Sequence, residues 1–414
     1  MSHTSSEDFT LLKKCRICHS NNIAIVLDLG STPLANSFIT KPDQVEKRFP
    51  LDLVFCNECG LVQLGHIVNP NLMFRWYLYQ SSSSDTIPQH FRELAYYLCS
   101  TFITSSKQLV VEIGSNDGVL LRAFKSLGAN VLGIEPAANL AKIANEQGLE
   151  TIPEFFNSSM AHEVSKMGKA KLIVANNVFA HINDLHDFMT GVVTLLEDDG
   201  FVSVEFPYLG DLNQNVEYDT IYHEHLSYFT INPVNRLFLE YGMKIMSVKR
   251  LEVHGGSVQI IAKKTSKLGP EIPFLEFERR SGLGKLETYE TLAYRVEYQK
   301  EYLKHALTDL KSKGNKIIGY GAPAKGNTML NVCDIGCETL DYIIDSTPVK
   351  QGLFTPGTHI PIHPPEKFHK EQPPFALMLA WNYEKEILLK EQSYVGQFII
   401  PLPYPHVLPK NKFG

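Results

Sequence analysis

The stretch Leu109–Gly118, LVVEIGSNDG, carries the clearest fold signal in this chain. A short apolar run ends in an acid, a glycine-rich polar turn follows, and Val119–Phe124 has the spacing of a helix opening. This order predicts the first unit of a doubly wound parallel sheet, whose ligand crevice lies at the carboxyl ends of the strands. Asn130–Glu135 predicts a second strand ending in a carboxylate, which suits the two hydroxyls of a ribose. Gly114 and Gly118 are expected to let the backbone approach a ligand closely.

The turn itself favours a cationic ligand. It is not Gly-x-Gly-x-x-Gly, because Asn116 holds the middle position, and it lacks the Gly-Lys-Ser/Thr of a P-loop. Glu112 would repel a phosphate but attract a cation, and S-adenosylmethionine (SAM) carries an ammonium and a sulfonium. An ordinary βα turn in another α/β domain is the alternative. The predicted cofactor-binding residues are Glu112, Gly114, Ser115, Asn116, Gly118, Glu135 and, where the later buried run 171–178 turns polar, Asn176 and Asn177.

Composition excludes several classes of protein. The 414 residues suffice for two or three domains, and 44% hydrophobic with 20% charged residues is the balance of a folded chain. A net charge of −6 offers no broad basic face for nucleic acid. The first residues have neither the basic region nor the apolar core of a signal peptide, and no apolar run reaches the length of a membrane span. We expect a cytoplasmic protein that binds neither nucleic acid nor membrane.

Four of the seven cysteines form two Cys-x-x-Cys pairs, Cys15 with Cys18 and Cys56 with Cys59. Each pair forms a knuckle that turns two thiolates toward one point, and two knuckles supply the tetrahedral sulfur set of a structural zinc site. Chance pairing and a redox pair are the alternatives. The zinc is expected to be structural, because four thiolates leave no open coordination position. Cys99, Cys333 and Cys337 lack such pairing and are interpreted as packing residues.

Two polar segments are candidates for the active site. The aromatic run 73–80, with Tyr77 and Tyr79, leads into Ser81–Ser84, and these residues either belong to the core or line the mouth of the ligand domain. The cluster Tyr218–Tyr228 lies between a predicted strand ending at Pro207 and a predicted helix near Asn232. Its His-x-His could bind a metal, the loop could be solvated and structural, or it holds an acid/base pair with phenolic partners, which we favour.

A second α/β unit follows a long amphipathic helix predicted over 284–313 and ended by Gly314. Residues 316–327 again predict strand, glycine turn and helix, with Lys325 at the helix N-terminus, where an anionic phosphate would bind. Later strands are predicted over 340–345, 375–381 and 397–402, and the proline-rich segment 355–365 is predicted to be a loop. In the central unit, 151–157 predicts a strand flanking an adenine, and 244–263 a terminal antiparallel hairpin typical of SAM methyltransferases.

The motifs together resemble one family. The paired cysteine knuckles, VEIGSNDG at 111–118, TIYHEH at 220–225, HGGS at 254–257 and GYGAPAKGN at 319–327 occur in this order along nearly the whole chain. The set is similar to the zinc-containing, SAM-dependent C-methyltransferases that act on nucleotide-linked 4-keto deoxysugars, many of them at C-3. Gln259 stands where that family would have an arginine.

The resemblance implies an α/β protein in three parts. These are an N-terminal zinc-binding module (1–75), a central SAM-binding Rossmann-like domain (76–265), and a helical connector with a second Rossmann-like domain that binds the substrate nucleotide (266–414). The substrate-binding residues are then expected to be Tyr77, Tyr79, Gly321, Ala322, Lys325, Asn327 and Asn382. The expected assembly is a monomer, with the sugar and its nucleotide left open.

The implied reaction sets the roles of the polar loop. A carbon beside a ketone is weakly acidic, and its enolate can attack the methyl group of SAM, so the site needs a base and donors for the enolate oxygen. His225 is assigned as the base, Tyr222 and His181 as donors, and Glu224 either orients a histidine or grips the sugar. Two rivals remain: a SAM-dependent O- or N-methyltransferase on another small molecule, and a non-catalytic zinc and Rossmann binding module.

Overall fold

The computed structural model describes residues 8–83, 86–265, 267 and 271–409, without the side chains of Ser83 and His254. Ser84 of the serine run and the side chain of His254 in the predicted hairpin turn therefore lie outside what is described. Three sheets of four, seven and six strands, with a small two-stranded pair, form the described framework. The α/β class, the zinc-binding module and the two α/β units predicted from the sequence are confirmed.

The N-terminal part is a small antiparallel sheet carrying the cysteine knuckles. Its elements are β1 (Phe9–Leu11), β2 (Ile23–Thr32), β3 (Phe49–Cys56), β4 (Val62–Leu64), β5 (His66–Val68), α1 (Asn71–Phe74) and, leading into the next part, α2 (Thr86–Phe102). Cys56 ends β3, and Gly60, with a φ of +77°, turns the chain after the second knuckle toward β4. Strands β4, β3 and β2 lie side by side, and β1 pairs with β5.

The central part is a seven-stranded, mostly parallel sheet. Its elements are β6 (Leu109–Ile113), α3 (Val119–Ser126), β7 (Asn130–Ile134), α4 (Ala138–Glu146), β8 (Thr151–Ile152), α5 (Ser158–Ser165), β9 (Ala170–Asn176), α6 (Leu185–Leu195), β10 (Leu196–Pro207), α7 (Leu209–Asn215), β11 (Ser227–Tyr228), α8 (Ile231–Glu240), β12 (Met243–Leu251) and β13 (Ser257–Lys264). The strand order is β12-β13-β10-β9-β6-β7-β8, with β13 antiparallel to both neighbours. The predicted terminal hairpin is therefore confirmed, and β11 leaves this part to extend the N-terminal sheet beside β4.

The C-terminal part begins with a short and a long helix and continues as a second, mostly parallel sheet. Its elements are α9 (Pro273–Arg280), α10 (Leu286–Ser312), β14 (Ile317–Tyr320), α11 (Ala324–Val332), β15 (Ile343–Ile344), β16 (Ile362–His363), α12 (Pro365–Glu371), β17 (Phe375–Met378), α13 (Glu384–Lys390), β18 (Gln397–Ile400) and β19 (His406–Val407). The order is β16-β15-β14-β17-β18-β19, with β19 alone antiparallel among these strands. Gly314 follows α10 with a φ of +79°, as a helix-ending glycine does.

Several predicted boundaries change for local reasons. The strand predicted over 151–157 shrinks to β8, because Pro153 lacks the N–H that would continue the ladder. The strand predicted over 340–345 shrinks to β15. The loop predicted over 355–365 contains β16, which pairs with β15 and is held to two residues between Pro361 and Pro364.

Two apolar cores join the three parts. One contains the knuckle residues Cys15, Cys56 and Leu61 together with Val111 of the central sheet. The other joins residues of β2, β3 and β4 to α10 and to the C-terminal sheet. Because the N-terminal part packs against both α/β units, it stands beside the crevice between them. Among the described residues, no helix is both long and apolar enough to cross a membrane.

Candidate active site

A cavity of about 610 Å³ lies where the carboxyl ends of the two parallel sheets face each other. All three parts of the chain contribute to its wall, Asn36 and Tyr77 from the N-terminal side among them. Fourteen of the predicted site residues line it: Tyr77, Tyr79, Glu112, Gly114, Asn116, Glu135, Asn176, Asn177, His181, Tyr222, His225, Gly321, Lys325 and Asn382. One continuous cavity therefore unites the predicted cofactor, base and substrate positions.

The end of the cavity at β6 and β7 is acidic. Glu112 is buried and its Oε2 has no hydrogen-bond partner, and burial, with the charges of Glu135 and Asp117, raises its pKa well above the usual range. Glu135 accepts hydrogen bonds from the backbone N–H groups of Asn116 and Ala137, both at 2.8 Å. A buried, unpaired carboxylate is costly unless a cation binds beside it. The carboxylates of Glu112 and Glu135 therefore fit the ammonium, the sulfonium and the ribose hydroxyls of SAM.

The amides after β9 add polar groups to this end. Both side-chain polar atoms of Asn176 are buried without a partner, and so is Oδ1 of Asn177. Asn177 adopts a left-handed backbone with a φ of +54°, which Asn tolerates better than most residues. Phe155 and Phe156 from the segment predicted to flank an adenine also line the cavity. Unpaired amides and aromatic rings are the groups expected around an adenosine.

Two predicted cofactor residues, Ser115 and Gly118, do not line the cavity. A Cβ on Gly118 would stand 2.6 Å from Leu149 Cδ1, and a Cβ on Gly114 would stand 2.1 Å from Val178 Cγ2. These glycines therefore permit close packing within the protein, and Gly118 and the buried Ser115 are not among the lining residues. The expectation that Gly118 approaches the ligand is corrected, because its missing side chain makes room for α4 and the loop after it.

Asn116 ties the aromatic run to the glycine turn. Its Oδ1 accepts a hydrogen bond from the N–H of Ser81 at 2.9 Å, and its Nδ2 donates to the carbonyl of Tyr79 at 3.1 Å. Tyr77, Tyr79 and Ser81 line the cavity. Of the two possibilities for this run, the structure favours the one in which it lines the mouth.

The polar loop presents His225 as a neutral imidazole. Its Nδ1–H donates to the carbonyl of Thr220 at 2.8 Å, which leaves the lone pair of Nε2 as the basic site. Burial, with a contribution from the charge of Lys325, lowers the pKa of His225 to about 4. The ring centroids of Tyr222 and His181 lie 4.1 and 5.1 Å from that of His225. A base with two hydrogen-bonding neighbours at one wall of the cavity is the arrangement that proton abstraction needs.

The other two residues of the His-Glu-His motif do not line the cavity. His223 donates from Nε2 to the carbonyls of Phe49 and Pro50 at 3.3 and 3.2 Å. The metal-binding interpretation of the motif therefore fails, and within the described part of the chain the potential metal ligands cluster at the cysteines. Glu224 is buried and accepts from Asn36 Nδ2 and Tyr77 Oη, both at 2.7 Å. Glu224 thus positions cavity residues, which corrects the expectation that it orients a histidine or grips the sugar.

The end of the cavity at the C-terminal sheet is basic. Lys325, Lys350 and Lys390 line it, and Lys325 Nζ lies 4.9 Å from the centroid of the Trp381 ring. Trp381 Nε1 donates to Asp219 at 2.6 Å, which connects the C-terminal part to the turn that holds His225. Lys350 and Asp345 line the cavity and were not predicted from the sequence, and Trp381 contacts the lining residue Lys325.

Two further predictions, for Asn327 and Ala322, change at this end. Asn327 is buried and donates to the carbonyl of Ala35 at 2.8 Å, and the N–H of Ala322 donates to Asp345 at 2.7 Å. Neither residue lines the cavity, because both hold the turn in place from behind. Gln259 donates to Ser203 within the central sheet at 3.2 Å and is also outside the cavity.

The four cysteine thiols meet at one point. Their Sγ atoms lie within 4.8 Å of one another, with Cys15 to Cys59 at 3.5 Å and Cys18 to Cys56 at 3.4 Å. Zn–S bonds of about 2.3 Å in a tetrahedron place sulfurs about 3.8 Å apart, so the cluster fits zinc. Arg16, inside the first knuckle, donates to Gln63 and to the carbonyl of Leu64 on β4. The knuckles therefore hold the strand that pairs with β11, directly after the base loop.

Comparison with known proteins decides the family. A model described as a putative zinc binding domain matches residues 15–74, one described as a methyltransferase domain matches 90–248, and one described as the C-methyltransferase C-terminal domain matches 252–403. C-methyltransferase NovU from Streptomyces niveus is 37% identical over 407 residues, which cover 96% of this chain and 97% of that protein.

The chain belongs to the SAM-dependent C-methyltransferase family.

Two further similarities cover smaller shares of the chain. A ubiquinone biosynthesis O-methyltransferase from Rhodopseudomonas palustris strain HaA2 is 25% identical over 114 residues, 26% of this chain and 45% of that protein. The crystal structure of magnesium protoporphyrin IX methyltransferase from Synechocystis PCC 6803 with bound SAM is 12% identical, with a TM-score of 0.34, and covers 43% of this chain and 79% of that one.

Membership of the family removes the two rival functions. The protein is a methyltransferase that transfers a methyl group from SAM to carbon, so the O- or N-methyltransferase and the non-catalytic binding module no longer apply. SAM is its cofactor, and the four clustered cysteines are its zinc site.

Proposed function

We propose that this C-methyltransferase methylates the carbon next to the C-4 ketone, C-3, of a nucleoside-diphosphate-linked 4-keto-6-deoxysugar. The main observation in support is that the two ends of the cavity carry opposite charges. Its acidic end, at Glu112 and Glu135, suits a cationic methyl donor, and its basic end, at Lys325 and Lys350, suits a diphosphate. A neutral imidazole lies in the wall between them. A small neutral sugar joined to an anionic nucleotide matches this order of charges.

Each of the three parts of the chain has its own role. Residues 1–75 hold the zinc and support the base loop, 76–265 bind SAM, and 266–414 bind the nucleotide of the substrate. The SAM-dependent step needs a carbon nucleophile, and SAM supplies the electrophilic methyl group. The chain's own residues generate that nucleophile.

His225 acts as the general base. Its Nε2 takes the proton from the carbon next to the ketone, and the electron pair moves onto the ketone oxygen as the enolate forms. Tyr222 and His181 donate hydrogen bonds to that oxygen. Burial, with a smaller electrostatic contribution from the adjacent His225, holds the pKa of His181 well below its usual range, so His181 donates as a neutral imidazole. Tyr77 and Tyr79, which also line the cavity, hold the sugar, and Glu224 positions Tyr77.

Lys325 couples substrate binding to the strength of this base. Its positive charge contributes to the low pKa of His225. A diphosphate bound at Lys325 would neutralise that charge and raise the pKa of His225, while burial, the larger cause, would continue to lower it. The base therefore gains strength when the substrate occupies the basic end of the cavity.

A panel of substrates tests the proposal. The enzyme is incubated with SAM and the 4-keto-6-deoxyglucose derivatives of dTDP, UDP and GDP, together with their 2- or 3-deoxy counterparts. We expect methyl transfer to at least one member, with the new methyl on C-3 by NMR. Methylation at oxygen, at C-5, or of none of these sugars while another carbon acid is methylated would contradict the proposal.

The pH dependence follows from the low pKa of His225. Only the neutral imidazole accepts a proton, so kcat/KM, which reports the free enzyme, should be lost as pH falls through about 4. The acid limb of kcat should lie at higher pH, because the bound diphosphate offsets the charge of Lys325. Steady-state kinetics in buffers of constant ionic strength measure both limbs. If the acid limbs of kcat/KM and kcat coincide near pH 6.5, burial does not lower the pKa of His225 and bound diphosphate does not raise it, which would contradict both expectations.

A further inference from the structure

The two α/β units repeat one hydrogen-bonded turn. In the central unit, the N–H of Gly114 donates to the carbonyl of Ile134 at 2.7 Å, and in the C-terminal unit the N–H of Gly321 donates to the carbonyl of Ile344 at 2.8 Å. Both glycines have positive φ angles, +68° and +82°. Each turn follows the first strand of its unit, and each carbonyl ends the second strand beside it.

The residue after each carbonyl is a carboxylate held in the same way. Glu135 accepts from a turn N–H, that of Asn116, and from the N–H two residues beyond itself. Asp345 accepts from the turn N–H of Ala322 at 2.7 Å and from the N–H of Thr347, two residues beyond itself, at 2.8 Å. Both carboxylates are nearly buried and both line the cavity. A carboxylate has about four lone-pair sites, so each retains capacity to accept from a ligand hydroxyl.

The charges beside the two carboxylates differ. Glu135 has Glu112 as its neighbour, and the charge of Glu135 contributes to the raised pKa of Glu112. Asp345 has Lys350 instead, whose Nζ lies 3.8 Å from Asp345 Oδ2 and donates to the carbonyl of Ala322 at 2.9 Å. The first site therefore suits a pentose joined to a cation, and the second suits a pentose joined to an anion.

We propose that Asp345 accepts a hydrogen bond from the pentose 3′-hydroxyl of the substrate nucleotide, and that Lys350 contacts a phosphate oxygen of the same nucleotide. This inference rests on the proposed nucleotide-linked substrate and assigns its binding to named atoms. The 3′-hydroxyl is present in ribonucleotides and 2′-deoxyribonucleotides alike, so the contact requires a pentose hydroxyl without selecting between them. The enzyme thus recognises the nucleoside of SAM through Glu135 and the nucleoside of the substrate through Asp345, and the two carboxylates are held in the same way.

Calorimetric titration of the full-length enzyme saturated with S-adenosylhomocysteine tests the hydroxyl contact. The ligands are dTDP, UDP and GDP, and then the 3′-deoxy counterpart of whichever binds most tightly. In the wild-type enzyme, removal of the 3′-hydroxyl should weaken binding by about 10- to 100-fold, the usual effect of losing a hydrogen bond to a charged group. In Asp345→Ala, the two ligands should bind within about twofold of each other, and S-adenosylhomocysteine should bind as in the wild type.

Two matched variants separate the contacts. Glu135→Ala should weaken S-adenosylhomocysteine and leave the affinity for the diphosphate, measured without cofactor, unchanged. Lys350→Met should weaken the diphosphate and retain the 3′-hydroxyl discrimination. Equal affinity of the wild-type enzyme for the hydroxyl and 3′-deoxy ligands, or discrimination that persists in Asp345→Ala, would overturn this inference and leave the proposed function standing. If none of the three diphosphates binds the wild-type enzyme, the nucleotide-linked substrate and this inference both fall.

Discussion

His225→Asn is expected to lower turnover by about 10²- to 10⁴-fold, with SAM affinity unchanged. An asparagine amide can still donate to the carbonyl of Thr220, to which His225 donates at 2.8 Å, so the loop should keep its shape. It offers no basic nitrogen in place of Nε2, and proton abstraction from the carbon should fail. Turnover measured by NMR of the methylated product, with SAM binding measured by calorimetry, gives the two quantities.

The neighbouring histidine supplies the control. His223 donates to the carbonyls of Phe49 and Pro50 and does not line the cavity, so His223→Asn should retain turnover within about tenfold of the wild type. Equal losses in both variants would mean that the motif acts through loop structure alone. A His225→Asn enzyme with more than a tenth of wild-type turnover would show that another group is the base.

Loss of the zinc site is expected to have the largest effect on stability. A structural zinc ion contributes about 10–16 kcal/mol in small zinc-binding peptides, as much as the whole stability of a typical domain. Cys15→Ser should therefore abolish stoichiometric zinc and lower the unfolding temperature strongly. Leu64 of β4 donates to the carbonyl of Leu226, one residue from His225, so the base loop should lose order and activity should fall as well. Metal analysis and thermal unfolding measure the first two effects.

The matched control is Cys337→Ser. Cys337 is exposed, lies outside the cysteine cluster, and bonds to backbone carbonyls that a serine hydroxyl can also reach. It should retain zinc, stability and turnover. A folded and fully active Cys15→Ser protein that contains no zinc would contradict the structural role of the metal.

Residues whose geometry depends on short spacing could be predicted from the sequence. The knuckles bring two thiols together within four residues, and a strand that ends in a carboxylate places Glu135 at the sheet edge regardless of distant contacts. The direction of the neighbouring residues depends on packing that spacing does not reveal. Gly118 makes room for Leu149, and Asn327 donates to Ala35, almost three hundred residues away in sequence. Such residues were assigned to the cavity but lie behind its wall.

Asp345 illustrates a signal that was present and not used. It ends a strand that follows a glycine turn, as Glu135 does, so the ribose argument made for the central unit applied equally to the second one. Trp381 and Lys350 carry no comparable signal. Their contacts with Asp219 and Asp345 arise only when separate elements fold together. Glu224 also required the fold, because its partners Asn36 and Tyr77 precede it by 188 and 147 residues.

The most direct test of the enolate mechanism is solvent exchange at the carbon next to the ketone. The enzyme, saturated with S-adenosylhomocysteine so that no methyl group is available, is mixed in D₂O with the 4-keto sugar nucleotide that it methylates, and the proton on C-3 is followed by NMR. We expect exchange far above the uncatalysed rate with the wild-type enzyme, and its loss in His225→Asn. No exchange with a wild-type enzyme that methylates the same substrate, or undiminished exchange in His225→Asn, would contradict the enolate mechanism.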